Sequence, residues 1–95
     1  VHAWLGQLAL SEHRYAEARA SFELAALVGR ESGDRMREAI ARNNVGQTWW
    51  SEGELPKAEA EFRAVLPMRG ELKDRVGEGY TLMGLGQVYW SQGNP

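Results

Sequence analysis

Cysteine is absent from the 95 residues, so the chain can form no disulfide, no thiolate nucleophile and no thiolate metal site. That absence suits a reducing compartment, and a cytoplasmic location is expected. Histidine is nearly missing as well: His2 and His13 stand apart with no carboxylate spacing that would complete a metal set, so no metal ligand is expected. No apolar run approaches the roughly 20 residues that a membrane helix needs, and no basic-then-apolar leader opens the chain. An excess of one charge is lacking too. Thirteen acidic residues face eleven basic ones, and the basic residues are scattered rather than gathered into a patch that would follow phosphates. Membrane and nucleic acid are therefore not expected partners.

Chemistry is equally sparse. The glycines of "GEGYTLMGLG", Gly77 to Gly86, do not form a nucleotide loop, because no Gly-Lys followed by serine or threonine comes after them and no strand comes before. The acids Glu59 and Glu61 fall about 200° apart on a helix, too far round to share one proton-transfer site. No catalytic residue and no cofactor is expected, and the chain reads as a non-enzyme.

What is present is repetition. "LGQ" at Leu5 to Gln7 returns as "VGQ" at Val45 to Gln47 and as "LGQ" at Leu85 to Gln87, forty residues apart each time (45 − 5 and 85 − 45). Sliding the chain by forty aligns residues 1–55 with 41–95 and makes 16 of the 55 pairs identical, several times what chance would give. Each unit reads as two helices. In the first, Leu5, Gly6 and Ala9 return as Val45, Gly46 and Trp49 and then as Leu85, Gly86 and Tyr89, the spacing of one helical face. In the second, Tyr15, Ala18, Phe22 and Ala25 match Leu55, Ala58, Phe62 and Val65. Gly53 and Gly93 sit where a helix needs a left-handed residue to stop, and Asp34 and Asp74 where the next needs a cap. These signals predict helices near 2–12, 14–31, 35–52, 55–72 and 75–92. They form one domain over 1–95, in units 1–33, 34–73 and 74–95. The closing "GNP" resembles the start of a further helix and implies a longer array.

The pattern resembles the tetratricopeptide repeat family: a Leu-Gly pair, an aromatic three residues after the glycine, a turn glycine, then an alanine and an aromatic in the second helix. Val45, Gly46, Trp49, Gly53, Ala58 and Phe62 fill these places in order; Leu5, Gly6, Ala18 and Phe22 fill most of them in the first unit, and Leu85, Gly86, Tyr89 and Gly93 those available in the third. The period of forty, with an Asp-Arg joint, is similar to the longer variant found in cell-polarity adaptors of the Pins type and in bacterial signalling ATPases and transcriptional regulators. Arg42 and Ala9 depart from the family pattern, standing where an apolar and an aromatic residue are usual. The resemblance implies an all-α, right-handed superhelical solenoid of antiparallel helix hairpins, here five helices in about two and a half repeats. It also implies a concave inner face that takes extended peptides.

Angles decide which residues would line that face. With Asn43 at zero and 100° per residue, Gln47 falls at about 40°, Trp50 at about −20° and Ile40 at about 60°. Gly46 and Trp49 fall at about −60° and −120°, so Trp49 belongs to the stripe between helices and Trp50 to the inner face. The same arithmetic places Tyr80, Met83, Gln87 and Trp90 on the face in the third unit and Ala3, Gln7 and Leu10 in the first. A glutamine ladder of Gln7, Gln47 and Gln87 results, with Asn43 and Asn44 adding amides nearby. A primary amide both donates and accepts, so it can pair with a peptide group whatever the ligand's side chain. Each such bond nets only about 0.5–1.5 kcal/mol, and affinity would rest more on Trp50 and Trp90. The competing expectation is that these tryptophans pack on the neighbouring repeat and that the glutamines merely face water. The lysine, arginine and asparagine set by which some members of the family clamp chaperone tails is missing: Ala3, Gln7, Gln47, Met83 and Gln87 bring no cation to the face. Arg42 and Arg35 are expected to cover apolar surface and pair with Glu38 or Glu78.

The expected function is a protein-interaction scaffold that binds a peptide or extended partner segment. The alternatives are a ligand- or peptide-sensing domain of a larger signalling ATPase or transcription regulator, and a structural spacer. Three further expectations concern stability. Gly86 is required by a close helix approach, whereas Gly77, Gly79 and Gly84 lack such a reason and loosen the last helix. Pro67 kinks or ends its helix early. Leu82, Leu85 and Tyr89 form an uncapped apolar stripe, through which the chain self-associates or frays.

Overall fold

A computed structural model describes residues 14–93. Four helices follow one another: α1 Tyr15–Ser32, α2 Arg35–Ser51, α3 Leu55–Glu71 and α4 Arg75–Ser91, with no strand among the described residues. Each bound lies within a residue or two of the sequence expectation. The helix expected at 2–12, and with it Gln7, lies outside the described residues.

The joints show why the helices begin and end where they do. Asp34 and Asp74 cap α2 and α4: an Oδ1 accepts the N–H of Arg37 at 3.1 Å and of Gly77 at 2.9 Å. Gly33, Gly53 and Gly93 take left-handed φ of 77°, 80° and 80° just past α1, α2 and α4. The place of Gly33 in the next unit is held by Lys73, at φ 57°, which meets the same geometric demand at the cost of a Cβ. α3 does not end at Pro67 but runs on to Glu71. Pro67 lies on the exposed side, where water can take up the carbonyl of Arg63 that the ring leaves without a donor.

Successive helices pack on each other, and α4 also touches α2. The core repeats with the sequence. Ala18, Phe22 and Val45 form one buried cluster, and Ala58, Phe62 and Leu85, their equivalents forty residues on, form the next together with Val88. A third joins Ala39, Val65 and Met68. Trp49 spans the first two clusters, as its angle predicts, with the Arg19 guanidinium 3.6 Å and the Lys57 ammonium 4.6 Å from its ring centroid.

The glycines correct the sequence expectation. A Cβ on Gly46 would lie 2.8 Å from Phe62 Cε1, and one on Gly84 would lie 2.7 Å from Phe62 Cζ, so both are needed to admit the ring. Gly77 is needed as well, since a Cβ there would strike the Asp74 cap and lie 2.8 Å from Arg69 Cδ. A Cβ on Gly86 or Gly79 meets nothing within 4 Å. Gly84 is thus the close approach of α4 to α3, and Gly86 meets no neighbour among the described residues. The expected stripe is also redrawn: Leu85 is buried against Phe62, Tyr89 bonds to Glu59 and Arg63, and only Leu82 of the three is exposed.

Candidate functional site

The middle of α2 meets the N-terminal half of α4 around a shallow cavity of about 400 Å³, lined by Ile40, Asn43, Asn44 and Gln47 from α2, by Val76, Gly77 and Tyr80 from α4, and by Arg69 and Asp74. One step along the same pair of helices lies a second cavity of about 330 Å³, walled by Trp50, Met83, Gly86, Gln87, Trp90 and Ser91. All eight expected face residues within the described range therefore line one of two neighbouring cavities. Gln47 and Gln87 fall in different cavities, so they offer amides at two stations along the face.

Their circumstances differ. Trp90 is 82% exposed, and Tyr80 and Met83 are also largely bare. Trp50 is half-buried: its indole packs on the Phe62 cluster and its Nε1 donates to Ser91 Oγ at 3.0 Å. For Trp50, packing on the neighbouring unit is thus what the side chain does. Asn43 is buried, and its Oδ1 accepts from Thr81 Oγ1 at 3.0 Å, so it ties α2 to α4 rather than offering its carbonyl to solvent.

A cation does reach this face, contrary to the sequence expectation. Arg69 comes from α3, only 5% exposed, and borders the first cavity. Its Nη1 donates to the carbonyl of Gly77 at 2.6 Å and to Thr81 Oγ1 at 3.2 Å. Its Nε is buried with no hydrogen-bond partner, and the nearest carboxylate, Asp74 Oδ2, lies 4.0 Å away. Burial lowers the Arg69 pKa from its ordinary value, and the charge of Asp74 raises it in part. Arg35 and Arg42 do not serve this face. Arg35 pairs with Glu38, as expected, and with Glu71; Arg42 pairs with Glu61 at 3.1 Å and not with Glu38 or Glu78.

A face-by-face angular count from the neighbouring helices could not find Arg69, because it belongs to α3 and reaches the site from beneath. The signal lay in the repeat offset. Residue 29 is glycine where residue 69 is arginine, and residue 37 is arginine where residue 77 is glycine. In the first joint a Cβ on Gly29 would lie 2.8 Å from the backbone nitrogen of Glu38; in the second, the room opened by Gly77 is filled by the Arg69 stem. No family model and no curated protein matches the sequence. No group of three or more potential metal ligands and no helix long and apolar enough to cross a membrane occurs among the described residues.

Proposed function

We propose that the chain is a protein-interaction module of the tetratricopeptide type, a right-handed superhelical solenoid with a further helix over residues 2–12, which binds an extended peptide across the face of α2 and α4. It acts by binding and not by catalysis. The observation that carries this reading is the pair of adjoining cavities with Tyr80, Met83 and Trp90 exposed beside them. Exposed aromatic and thioether groups beside unpaired amides are what a peptide ligand uses: apolar area for affinity, amides for the backbone. The recurrence of core positions at forty residues supports the solenoid arrangement.

The test is selection of a random twelve-residue peptide library on the immobilised 95-residue chain, followed by titration of the enriched peptides. Trp90→Ala with Gln87→Ala should weaken them at least tenfold while circular dichroism stays unchanged. Titrations unaffected by this pair would move the site away from the face. No enriched peptide at all would favour a spacer.

A further inference from the structure

α3 docks on α2 through one stripe. Arg35, Ala39, Arg42 and Gly46 lie within about 60° of each other round α2, and each has a partner on α3. Phe62 sits on Gly46, Glu61 pairs with Arg42, Val65 and Met68 cover Ala39, and Glu71 pairs with Arg35. Forty residues on, α4 carries Arg75, Gly79, Leu82 and Gly86 at the same places. All four are exposed, a Cβ on either glycine meets nothing within 4 Å, and Arg75 takes part in no ion pair among the described residues. This stripe is centred about 90° round α4 from Tyr80, Met83, Gln87 and Trp90, and of its four residues only Gly86 also borders the face described above. Beside it, α3 and α4 flank a cavity of about 520 Å³ walled in part by Leu66, Pro67, Gly70 and Leu85. Their counterparts Ala26, Leu27, Arg30 and Val45 wall a cavity of about 230 Å³ one unit upstream, where α3 adds Glu61 to the wall. The upstream groove is polar and has its helix, whereas the downstream groove is apolar and bare.

We propose that the stripe Arg75, Gly79, Leu82 and Gly86 is a docking site for an amphipathic helix of another protein, which lies on α4 as α3 lies on α2. The internal copy sets the partner's chemistry. Following Phe62, Val65 and Glu71, it carries a phenylalanine that sits on Gly86, a branched aliphatic residue three positions later that covers Gly79, and an acid six positions beyond that meets Arg75. It runs antiparallel to α4, since residues 46, 39 and 35 of α2 meet 62, 65 and 71 of α3 in that order. One letter changes. Leu82 stands where α2 has Arg42, so the residue before the phenylalanine is apolar and not an acid like Glu61; a carboxylate there would be buried against leucine without a partner. A second copy of the chain does not supply this helix, because its only two phenylalanines, Phe22 and Phe62, are fully buried in their own clusters. The proposal rests on the repeat and not on the extended-peptide reading.

The probes are two labelled synthetic peptides, one with the 17-residue sequence of α3, Leu55–Glu71, and one with leucine at the place of Glu61. Each is titrated by fluorescence anisotropy against the 95-residue chain. The leucine peptide should bind the wild type about tenfold more tightly than the glutamate peptide, and Leu82→Arg, at an exposed site, should reverse that order by restoring the pair that Arg42 makes with Glu61. Alanine in place of the peptide's phenylalanine should weaken binding at least tenfold, and Arg75→Glu should weaken it about two- to fivefold. Gln47→Ala with Gln87→Ala, which belongs to the extended-peptide face, should leave both peptides unaffected. An order of affinity that Leu82→Arg does not change, or indifference to the phenylalanine, would overturn the proposal. So would failure of both peptides to bind at about 1 mM, or a response seen only where light scattering shows dimers, which would assign the stripe to a second copy.

Discussion

Arg69 lies directly over Gly77: its Nη1 donates to the Gly77 carbonyl at 2.6 Å, and a methyl group on residue 77 would sit 2.8 Å from its Cδ. The arginine is accommodated only because its neighbour has no side chain.

Gly77→Ala should therefore destabilise the chain although alanine is the better helix former by about 1 kcal/mol. The methyl would displace both the Asp74 cap and the Arg69 stem, for a net loss of about 1–3 kcal/mol. Urea unfolding followed by circular dichroism measures it. The control is Arg37→Ala at the same place in the preceding joint, where the arginine is exposed and pairs with Asp34; a change within about 0.5 kcal/mol is expected there.

The Phe62 ring is gripped between Gly46 and Gly84. Alanine at either position should cost about 1–3 kcal/mol through overpacking, while alanine at Gly79 or Gly86, where the space is open, should gain up to about 1 kcal/mol. Thermal melts of the four variants would separate into two pairs; equal effects at Gly84 and Gly86 would contradict the packing described.

Lys73 holds a left-handed backbone that Gly33 adopts without strain. Lys73→Gly should raise stability by about 0.5–1 kcal/mol, the relief of a left-handed Cβ of about 1–2 kcal/mol less the added freedom of the unfolded chain. A lower unfolding midpoint for Lys73→Gly would show that the lysine side chain contributes more than its backbone costs.

α4 exposes Leu82 and, beside the second cavity, Met83 and Trp90. We expect concentration-dependent self-association of the 95-residue chain, visible by light scattering and abolished by Leu82→Lys. A monomer across the whole concentration range, with slow amide exchange through residues 80–90, would count against it.

The helices were legible because local signals agree with the period: an aspartate before each of α2 and α4, left-handed glycines after α1, α2 and α4, and the same apolar spacing in successive units. The lining of the face was legible too, since Ile40, Gln47, Tyr80, Met83, Gln87 and Trp90 follow from angle alone. What angle does not give is commitment to a partner within the protein. Asn43 and Trp50 point toward the face, yet Thr81 and Ser91, forty or so residues away, have already engaged them. Nor does the spacing of one helix reveal what its neighbour sends through. Gly84 resembled a needless glycine until Phe62 of α3 was placed against it, and Arg69 resembled a surface charge until Gly77 made room for it.

The trade of Gly29 and Arg37 for Arg69 and Gly77 makes the joint between units a portable part. The backbone hydrogen bonds given by residues 33, 34 and 38 in the first joint recur at 73, 74 and 78 in the second, so the difference between the two joints is written in a few letters at the seam and not in the helices themselves. Gly29→Arg combined with Arg37→Gly and Ala41→Thr would copy that wording one unit upstream. A chain built this way can diversify its vocabulary seam by seam while its architecture is inherited unchanged.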